Sequence, residues 1–152
     1  MSRVTASVEI DAPADEVWDV VMDPDRLGDW VTIQRRLSRV SDRPLRHGST
    51  LVQSLRLRGA TFKVRWTVVD LEAGRQARWE GRGPARSKAH IVYRLVSRDG
   101  GRTCFEYENE FEPPLGPLGA AASRAVMGGL PEREANASLQ RLKSLLERRR
   151  TG

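Results

Sequence analysis

The chain has 152 residues and a formal net charge of +6; hydrophobic residues make up 39% of it and charged residues 30%. This length predicts one domain over 1–152, enough to bury about two thirds of its unfolded surface. No apolar run approaches the roughly 20 residues of a membrane span and no signal-peptide pattern opens the chain, so we expect a cytoplasmic location. Cys104 is the one cysteine, which excludes an internal disulfide.

The positive charge comes almost entirely from arginine, which supplies 23 of the 26 basic residues. These residues are spread along the chain with Glu between them, and they do not share strand faces with aromatic residues. A solvated outer sheet face therefore explains them better than binding to nucleic acid or an anionic membrane. The expected partners include no nucleic acid and no stable membrane insertion, and a homodimer stays open.

The first elements in chain order are a strand and two short helices. Residues 3–10 alternate apolar and polar, which predicts a strand. Pro13 suits the first turn of a following helix, and Asp23-Pro24 stops that helix. Residues 24–30 then predict a second, shorter helical turn.

From Ile33 onwards the chain has the punctuation of an antiparallel meander, with Gly and Pro between short alternating runs. The predicted strands are 33–41, 50–58, 61–71, 75–81, 88–97 and 103–112. Alternation places these residues inward: Leu51, Gln53, Leu55, Leu57, Phe62, Val64, Trp66, Val68, Ala77 and Trp79. The outward partners are mainly basic: Arg56, Arg58, Lys63, Arg65, Arg78, Glu80 and Arg82.

The last two predicted strands form a hairpin around the turn Asp99-Gly100-Gly101. The expected cross-strand pairs are Leu95 with Phe105, Tyr93 with Tyr107, Ile91 with Asn109, and Arg94 with Glu106. One face of this hairpin, which also carries Phe111, is aromatic with a few polar tips. The other face is predicted to be ion-paired and solvated.

A helical stretch follows the Pro-rich segment 113–117 and runs to about Arg148. Its C-terminal half has one apolar face, made of Ala135, Leu139, Leu142, Leu145 and Leu146, with Arg141, Lys143 and Glu147 opposite. Its N-terminal half, 119–130, consists mainly of Gly and Ala. We expect a kink or a broken turn near 128–131, because Pro131 lacks a backbone donor.

No catalytic set, metal site or cofactor motif is recognisable. His47 lies in a predicted loop and His90 on the outer face, so neither is a convincing base for an interior site. Two His and one Cys offer no metal-ligand spacing. Glu106, Glu108 and Glu110 form a carboxylate row that pairing with cations on the adjacent strand explains.

The order of elements resembles the START-like, or SRPBCC, superfamily, which includes bacterial polyketide cyclase/dehydrase and lipid-transport proteins. The segments that carry the resemblance are VEIDAPADEVW at 8–18, DPDRLGDW at 23–30, YENEF at 107–111, PLGPLG at 114–119 and the amphipathic stretch 139–146. It implies an α+β helix-grip fold: a curved antiparallel seven-stranded sheet wrapped around a long C-terminal helix, with two short helices after the first strand. It also implies a deep hydrophobic cavity between sheet and helix and structural roles for Trp18 and Trp30. No family catalytic residue maps onto this chain.

The Gly/Ala half of the last helix faces large rings, and this can give either a tightly filled core or room for an apolar ligand. The ligand hypothesis is preferred, because a buried Asn109 without a partner would cost about 1–3 kcal/mol. The alternative is that Asn109 and the Tyr hydroxyls satisfy one another. The predicted ligand-lining residues are Gln53, Leu55, Trp66, Trp79, Tyr93, Tyr107, Asn109, Phe111, Ala122, Ala125, Val126 and Met127.

The function predicted from sequence is therefore binding of a hydrophobic small molecule, such as a lipid, an isoprenoid or a polyketide-like compound. The alternative is a polyketide cyclase or aromatase that acts on a chain in the same cavity, with Asn109, Tyr93 and Tyr107 as hydrogen-bond donors. A third hypothesis, ranked last, is a partner-binding module that uses the basic outer face.

Overall fold

A computed structural model describes residues 2–57, 59–112 and 130–151. These ranges contain seven strands: β1 Ser2–Ile10, β2 Gln34–Ser38, β3 Thr50–Leu57, β4 Ala60–Glu72, β5 Gln76–Arg82, β6 Lys88–Arg98 and β7 Arg102–Glu112. The helices are α1 Ala14–Val21, α2 Leu27–Trp30 and the long C-terminal helix α3 Leu130–Thr151. Single 3-10 turns lie at Pro24–Arg26 and Pro84–Arg86.

All seven strands form one curved antiparallel sheet in the order β1-β7-β6-β5-β4-β3-β2. The first strand pairs with the last, and the other six follow one another as a meander. The predicted α+β helix-grip architecture is confirmed, including the two short helices between β1 and β2. Because residues paired in the register of neighbouring strands lie on the same face, the inward residues of successive strands share one face of the sheet.

The β6–β7 hairpin has the predicted register: Leu95 lies opposite Phe105, Tyr93 opposite Tyr107, Ile91 opposite Asn109, and Arg94 opposite Glu106. Its turn contains Gly100 and Gly101 with φ angles of 76° and 73°. Two successive residues with positive φ give the turn geometry that matches the twist of a hairpin, and only glycine adopts it without steric cost.

Strand β2 is shorter than predicted, because it covers Gln34–Ser38 rather than 33–41. A register shift between Gln34 and Arg36 bends its start, and Arg39 has a φ angle of 51° just after its end. A residue in the left-handed region cannot continue a β ladder, so the strand stops there. The start of helix α1 also differs from the prediction, because Pro13 is the N-cap residue that precedes α1 and does not lie inside its first turn.

The core fills the space between the sheet and the three helices. From α1 and α3 come residues that are at most 1% exposed: Val17, Val20, Val21, Leu139, Leu142 and Leu146. Trp30 of α2 lies between helix and sheet and contacts Tyr93 and Phe105 edge to face, at centroid distances of 6.0 and 6.1 Å. The predicted apolar face of the C-terminal helix is confirmed, with Ala135 and Leu145 half-buried at its margins.

The prediction that Lys143 and Glu147 stand on the solvent side of the helix is wrong. Both are half-buried, and Lys143 Nζ donates to the backbone oxygen of Glu9 (2.8 Å) and to Glu147 Oε2 (2.6 Å). Glu147 Oε2 also accepts from the Asp11 backbone N–H at 2.9 Å. The flank of α3 lies along the end of β1, a tertiary contact that helical periodicity cannot report.

Pro131 is the second described residue of α3. Gly128 and Gly129, where a kink was expected, lie outside the described residues. Among the helices of the described ranges, none combines the length and the apolar character that crossing a membrane requires.

Candidate functional site

The inner face of the sheet carries a connected group of aromatic rings near its β5–β6–β7 centre. Tyr93, which is 5% exposed, contacts Trp79, Phe105 and Tyr107 at centroid distances of 6.1, 5.3 and 6.2 Å. These rings come together because their residues have the same strand parity and adjacent registers. We call Trp79, Tyr93, Phe105 and Tyr107, with Asn109 beside them, the aromatic face.

Asn109 is the polar residue of the aromatic face. Its Nδ2 donates to the hydroxyl of Tyr107 at 3.2 Å, whereas its Oδ1 is buried and has no hydrogen-bond partner among the described residues. The alternative from sequence, that Asn109 and the Tyr hydroxyls satisfy one another by hydrogen bonding, therefore holds for the amide nitrogen and not for the amide oxygen. One polar atom of this amide still lacks a partner.

A second unpaired polar atom lies in the same row of the sheet. Trp79 is 5% exposed and its Nε1 has no partner within the described ranges. Trp79 and Asn109 both face Ile91 in the register, so two strand spacings, about 10 Å, separate their backbones. An unused donor and an unused acceptor thus flank one apolar side chain. The indole Nε1 of Trp30 is also buried, with no partner in the described part of the chain.

The two tyrosine hydroxyls stay protonated far above neutral pH. Burial raises the pKa of Tyr107 to about 12, although the hydrogen bond from Asn109 opposes this shift. Burial also raises the pKa of Tyr93, and the neighbouring Tyr107 adds to the effect. Both groups are therefore neutral hydroxyls in an apolar setting, able to donate a hydrogen bond.

Gln53, the other predicted polar contact, is already used within the protein. It is 6% exposed, its Oε1 accepts from Trp66 Nε1 at 3.0 Å, and its Nε2 donates to Gln34 Oε1 at 2.7 Å. This chain of three side chains joins β2, β3 and β4 below the aromatic face. Strand alternation did not identify Gln34 as inward, because a register shift directly after it interrupts the alternation.

The remaining predicted lining residues are distributed as follows. Leu55 is buried, at 8% exposure, and Phe111 is 37% exposed near the end of β7. Ala122, Ala125, Val126 and Met127 lie outside the described residues, as does most of the Gly/Ala half-helix. Their assignment to a ligand site stays a prediction.

Other chemically active side chains lie away from the aromatic face. Glu108 and Glu110 form ion pairs on the outer face: Arg94 of the adjacent hairpin strand pairs with Glu108, as cross-strand pairing predicts, whereas Arg3 of β1 contacts both carboxylates. His90 Nδ1 lies 3.8 Å from Glu80 on that same face. Cys104 is buried and burial raises its thiol pKa, which makes it a poor nucleophile. Over the described ranges, no three His, Cys, Asp or Glu residues are arranged to hold a metal.

The curved antiparallel sheet wraps around the C-terminal helix, and its inner face carries aromatic rings and polar atoms without partners among the described residues. This arrangement defines the helix-grip class of proteins. The family described as polyketide cyclase/dehydrase and lipid transport matches residues 1–147, and the chain belongs to this family.

Comparison with individual proteins agrees with this assignment. The chain is 26% identical over 129 residues to the uncharacterized protein Rv1546 of Mycobacterium tuberculosis, covering 84% of this chain and 90% of the relative. It is 20% identical over 133 residues to the toxin Rv0910 of the same organism, covering 87% and 92%. The solved structure of the ZhuI aromatase/cyclase from Streptomyces sp. R1128 superimposes with a TM-score of 0.76 at 21% identity, covering 97% of this chain and 94% of that one. At this identity the likeness to ZhuI concerns the fold.

Proposed function

We propose that this protein binds a hydrophobic small molecule that carries at least one hydroxyl or carbonyl group, between the sheet and the C-terminal helix. One observation carries the proposal: Asn109 Oδ1 and Trp79 Nε1 are both buried on the aromatic face without a partner among the described residues. The family description, which names lipid transport and polyketide cyclisation, supports a ligand of this chemistry.

The energetic argument concerns unpaired polar atoms. A buried donor or acceptor without a partner costs about 1–3 kcal/mol, and a protein without a ligand would be more stable with apolar residues at such positions. A ligand hydroxyl can donate to Asn109 Oδ1, and a ligand oxygen can accept from Trp79 Nε1. Binding would then recover the cost of both unpaired atoms.

The rings supply the remainder of the proposed site. Tyr93, Tyr107 and Trp79 would contact the apolar body of the ligand, and Leu55 and Phe111 would extend the wall toward the two ends of the sheet. On the helix side, the proposal assigns the covering residues to the Gly/Ala segment: Ala122, Ala125, Val126 and Met127. Trp66 and Gln53 would support the wall, because their polar atoms are already paired with each other.

The test compares ligands that differ only in a polar group. Native mass spectrometry and tryptophan fluorescence titration would measure binding of hexadecane, hexadecanol, palmitate and farnesol. We expect hexadecanol to bind more tightly than hexadecane, and the Asn109→Leu variant to lose this preference while hexadecane binding persists. Asn136→Leu, which replaces an exposed asparagine of α3, is the matched control and should behave as the wild type.

Two outcomes would contradict the proposal. One is failure of every member of the panel to bind to the folded wild-type protein. The other is an unchanged preference for the alcohol over the alkane in Asn109→Leu.

The second candidate function is cyclisation or aromatisation of a polyketide chain in the same site. It is favoured by the neighbouring hydroxyls of Tyr93 and Tyr107, whose raised pKa values keep them protonated and able to stabilise an enolate oxygen. A poly-β-ketone thioester analogue would be followed for the appearance of aromatic product. Turnover that is unchanged by Tyr93→Phe and by Asn109→Ala would eliminate this candidate.

A further inference from the structure

The outer face of the sheet divides into two halves with different electrostatics. In the half made by β1, β7 and β6, cations meet carboxylates: Arg3 lies 3.1 Å from Glu108, Arg94 lies 3.5 Å from Glu108, and Arg98 lies 3.3 Å from Glu9. Here the charges balance one another locally. The charges of this half are accounted for by ion pairing on a solvated surface, and no partner is needed to explain them.

The other half, over β2 to β5, carries, besides the carboxylates Asp70 and Glu80, a group of cations that form no ion pair among the described residues. Its members, which we call the cationic face, are Arg36, Arg39, Arg56, Lys63, Arg65 and Arg82. All six are exposed, and within the described residues none of them forms an ion pair.

The strand register brings two of these cations directly opposite each other. Arg65 of β4 pairs with Arg82 of β5, and Arg82 in turn pairs with Lys88 of β6. Like charges directly opposite on neighbouring strands destabilise a sheet. The carboxylate nearest to Arg65 by register is Glu80, two residues from Arg82 along β5, and it lies 3.8 Å from His90 instead.

A small depression lies within the cationic face. It has a volume of about 140 Å³ and is lined by Arg39, Thr50, Leu51, Val52 and Arg65. Arg39 holds a left-handed backbone conformation, with φ 51°, at its rim. Two unpaired guanidinium groups therefore border a concavity that an oxyanion could enter.

We propose that the cationic face docks onto an anionic membrane surface by binding phospholipid phosphates. Five of its six cations are arginine, and the planar guanidinium group binds two phosphate oxygens at once. Charge complementarity concentrates such a protein at a negatively charged leaflet without inserting a segment. The proposal does not depend on the ligand of the interior, although docking would bring that ligand to a lipid phase.

The geometry favours a membrane over nucleic acid. The cationic face spans β2 to β5, about 14 Å across three strand spacings. It is therefore too wide to enter the roughly 12 Å major groove of duplex DNA and contact base edges there. Single-stranded nucleic acid is held by stacking on aromatic rings, and none of the aromatic residues in β2 to β5 is exposed. A lipid surface needs neither a groove nor stacking.

The test is flotation of the full chain with vesicles of phosphatidylcholine alone or with 30% phosphatidylglycerol. We expect binding to the anionic vesicles only, weakening steeply between 50 and 300 mM NaCl. The double variant Arg65→Gln/Arg82→Gln should bind them about 20-fold more weakly, since each basic residue near such a surface contributes roughly fivefold. Arg94→Gln/Arg98→Gln removes the same charge from the ion-paired half and should bind like the wild type.

Folding and the competing partner are checked in the same experiment. Arg65→Gln/Arg82→Gln should melt at or above the wild-type temperature, because it removes facing like charges. Three results would overturn the proposal: equal binding to neutral vesicles, equal loss in both double variants, or no binding to either vesicle. Tighter binding to a 20-base-pair duplex than to vesicles at equal phosphate concentration would identify nucleic acid as the partner instead.

Discussion

The indole ring of Trp66 lies directly over Gly81, its register partner on the neighbouring strand. A Cβ at position 81 would stand 2.6 Å from Cζ3 of that ring. Both residues are buried, and Trp66 Nε1 is held by Gln53 at 3.0 Å. The absence of a side chain at Gly81 therefore leaves the space that the indole ring occupies. The hydrogen bond to Gln53 holds the ring in this position.

Gly81→Ala should lower the free energy of unfolding by about 1–3 kcal/mol, because the added methyl group overpacks a fixed ring. Urea unfolding followed by circular dichroism measures this. Gly28→Ala is the comparison: its Cβ would stand 3.2 Å from Nε2 of Gln34, so this side chain has to shift far less than the Trp66 ring, and Gly28 lies in a helix, where alanine is favoured. Equal stability of Gly81→Ala and wild type would contradict the packing described here.

Gln53→Leu should destabilise the protein by about 1–3 kcal/mol, since it leaves the buried Trp66 Nε1 and the Gln34 amide without partners. Its effect on ligand preference should be small, in contrast to Asn109→Leu. Gln76→Leu, at a half-buried position of β5 whose side chain makes no hydrogen bond among the described residues, serves as control. A Gln53 variant that unfolds like wild type but loses the preference for a polar ligand would move the polar contact from Asn109 to Gln53.

The two tyrosines of the chain should not ionise near pH 10 while the protein is folded. Burial raises the pKa of both, that of Tyr107 to about 12, so between pH 10 and 12 the unfolded state loses protons that the folded state keeps. The free energy of unfolding must therefore fall as the pH rises above 10. Absorbance at 295 nm, read beside circular dichroism, should show tyrosinate appearing only as the structure unfolds. Tyrosinate at pH 10 in a native fold would refute this prediction.

Glu147→Gln should destabilise the protein at neutral pH and lose its effect in acid. The hydrogen bond from Lys143 and the one from the Asp11 backbone hold the pKa of Glu147 below its ordinary value of 4.5. Because its pKa is lower in the folded than in the unfolded state, the ionised Glu147 carboxylate stabilises the folded protein in full above pH 4.5. This stabilisation disappears as the pH falls through the pKa of Glu147 in the folded state. Thermal melts of both proteins between pH 7 and pH 2 measure the difference. A gap in melting temperature that is the same at both ends of this range would show that the carboxylate charge is not involved.

The fold could be predicted in detail because strand alternation is local information. Parity agreed from β3 to β7, and glycines at the turns set where each strand reverses, so the register of the β6–β7 hairpin followed from the chain itself. The shortened β2 could not be foreseen, because the register shift after Gln34 depends on how the strand packs against β3.

The candidate site was predicted in its composition and not in its hydrogen bonding. Alternation identified Tyr93, Tyr107, Asn109 and Trp79 as inward neighbours. It could not show which polar atoms pair, because that depends on rotamers set by surrounding rings. Gln53 forms hydrogen bonds with Trp66 and Gln34, whereas Asn109 and Trp79 each have a buried polar atom without a hydrogen-bond partner among the described residues.

The sequence by itself determined the sheet, its two faces and the apolar stripe of the last helix, since periods of 2 and 3.6 residues are properties of the backbone. Only the tertiary structure decided which charges meet. The packing of the sheet sets Arg3 of β1 beside Glu108 yet Arg65 beside Arg82, and the packing of α3 brings Lys143 and Glu147 to the end of β1. Pairings between distant parts of the chain arise from the packing of whole elements, and no local pattern encodes them.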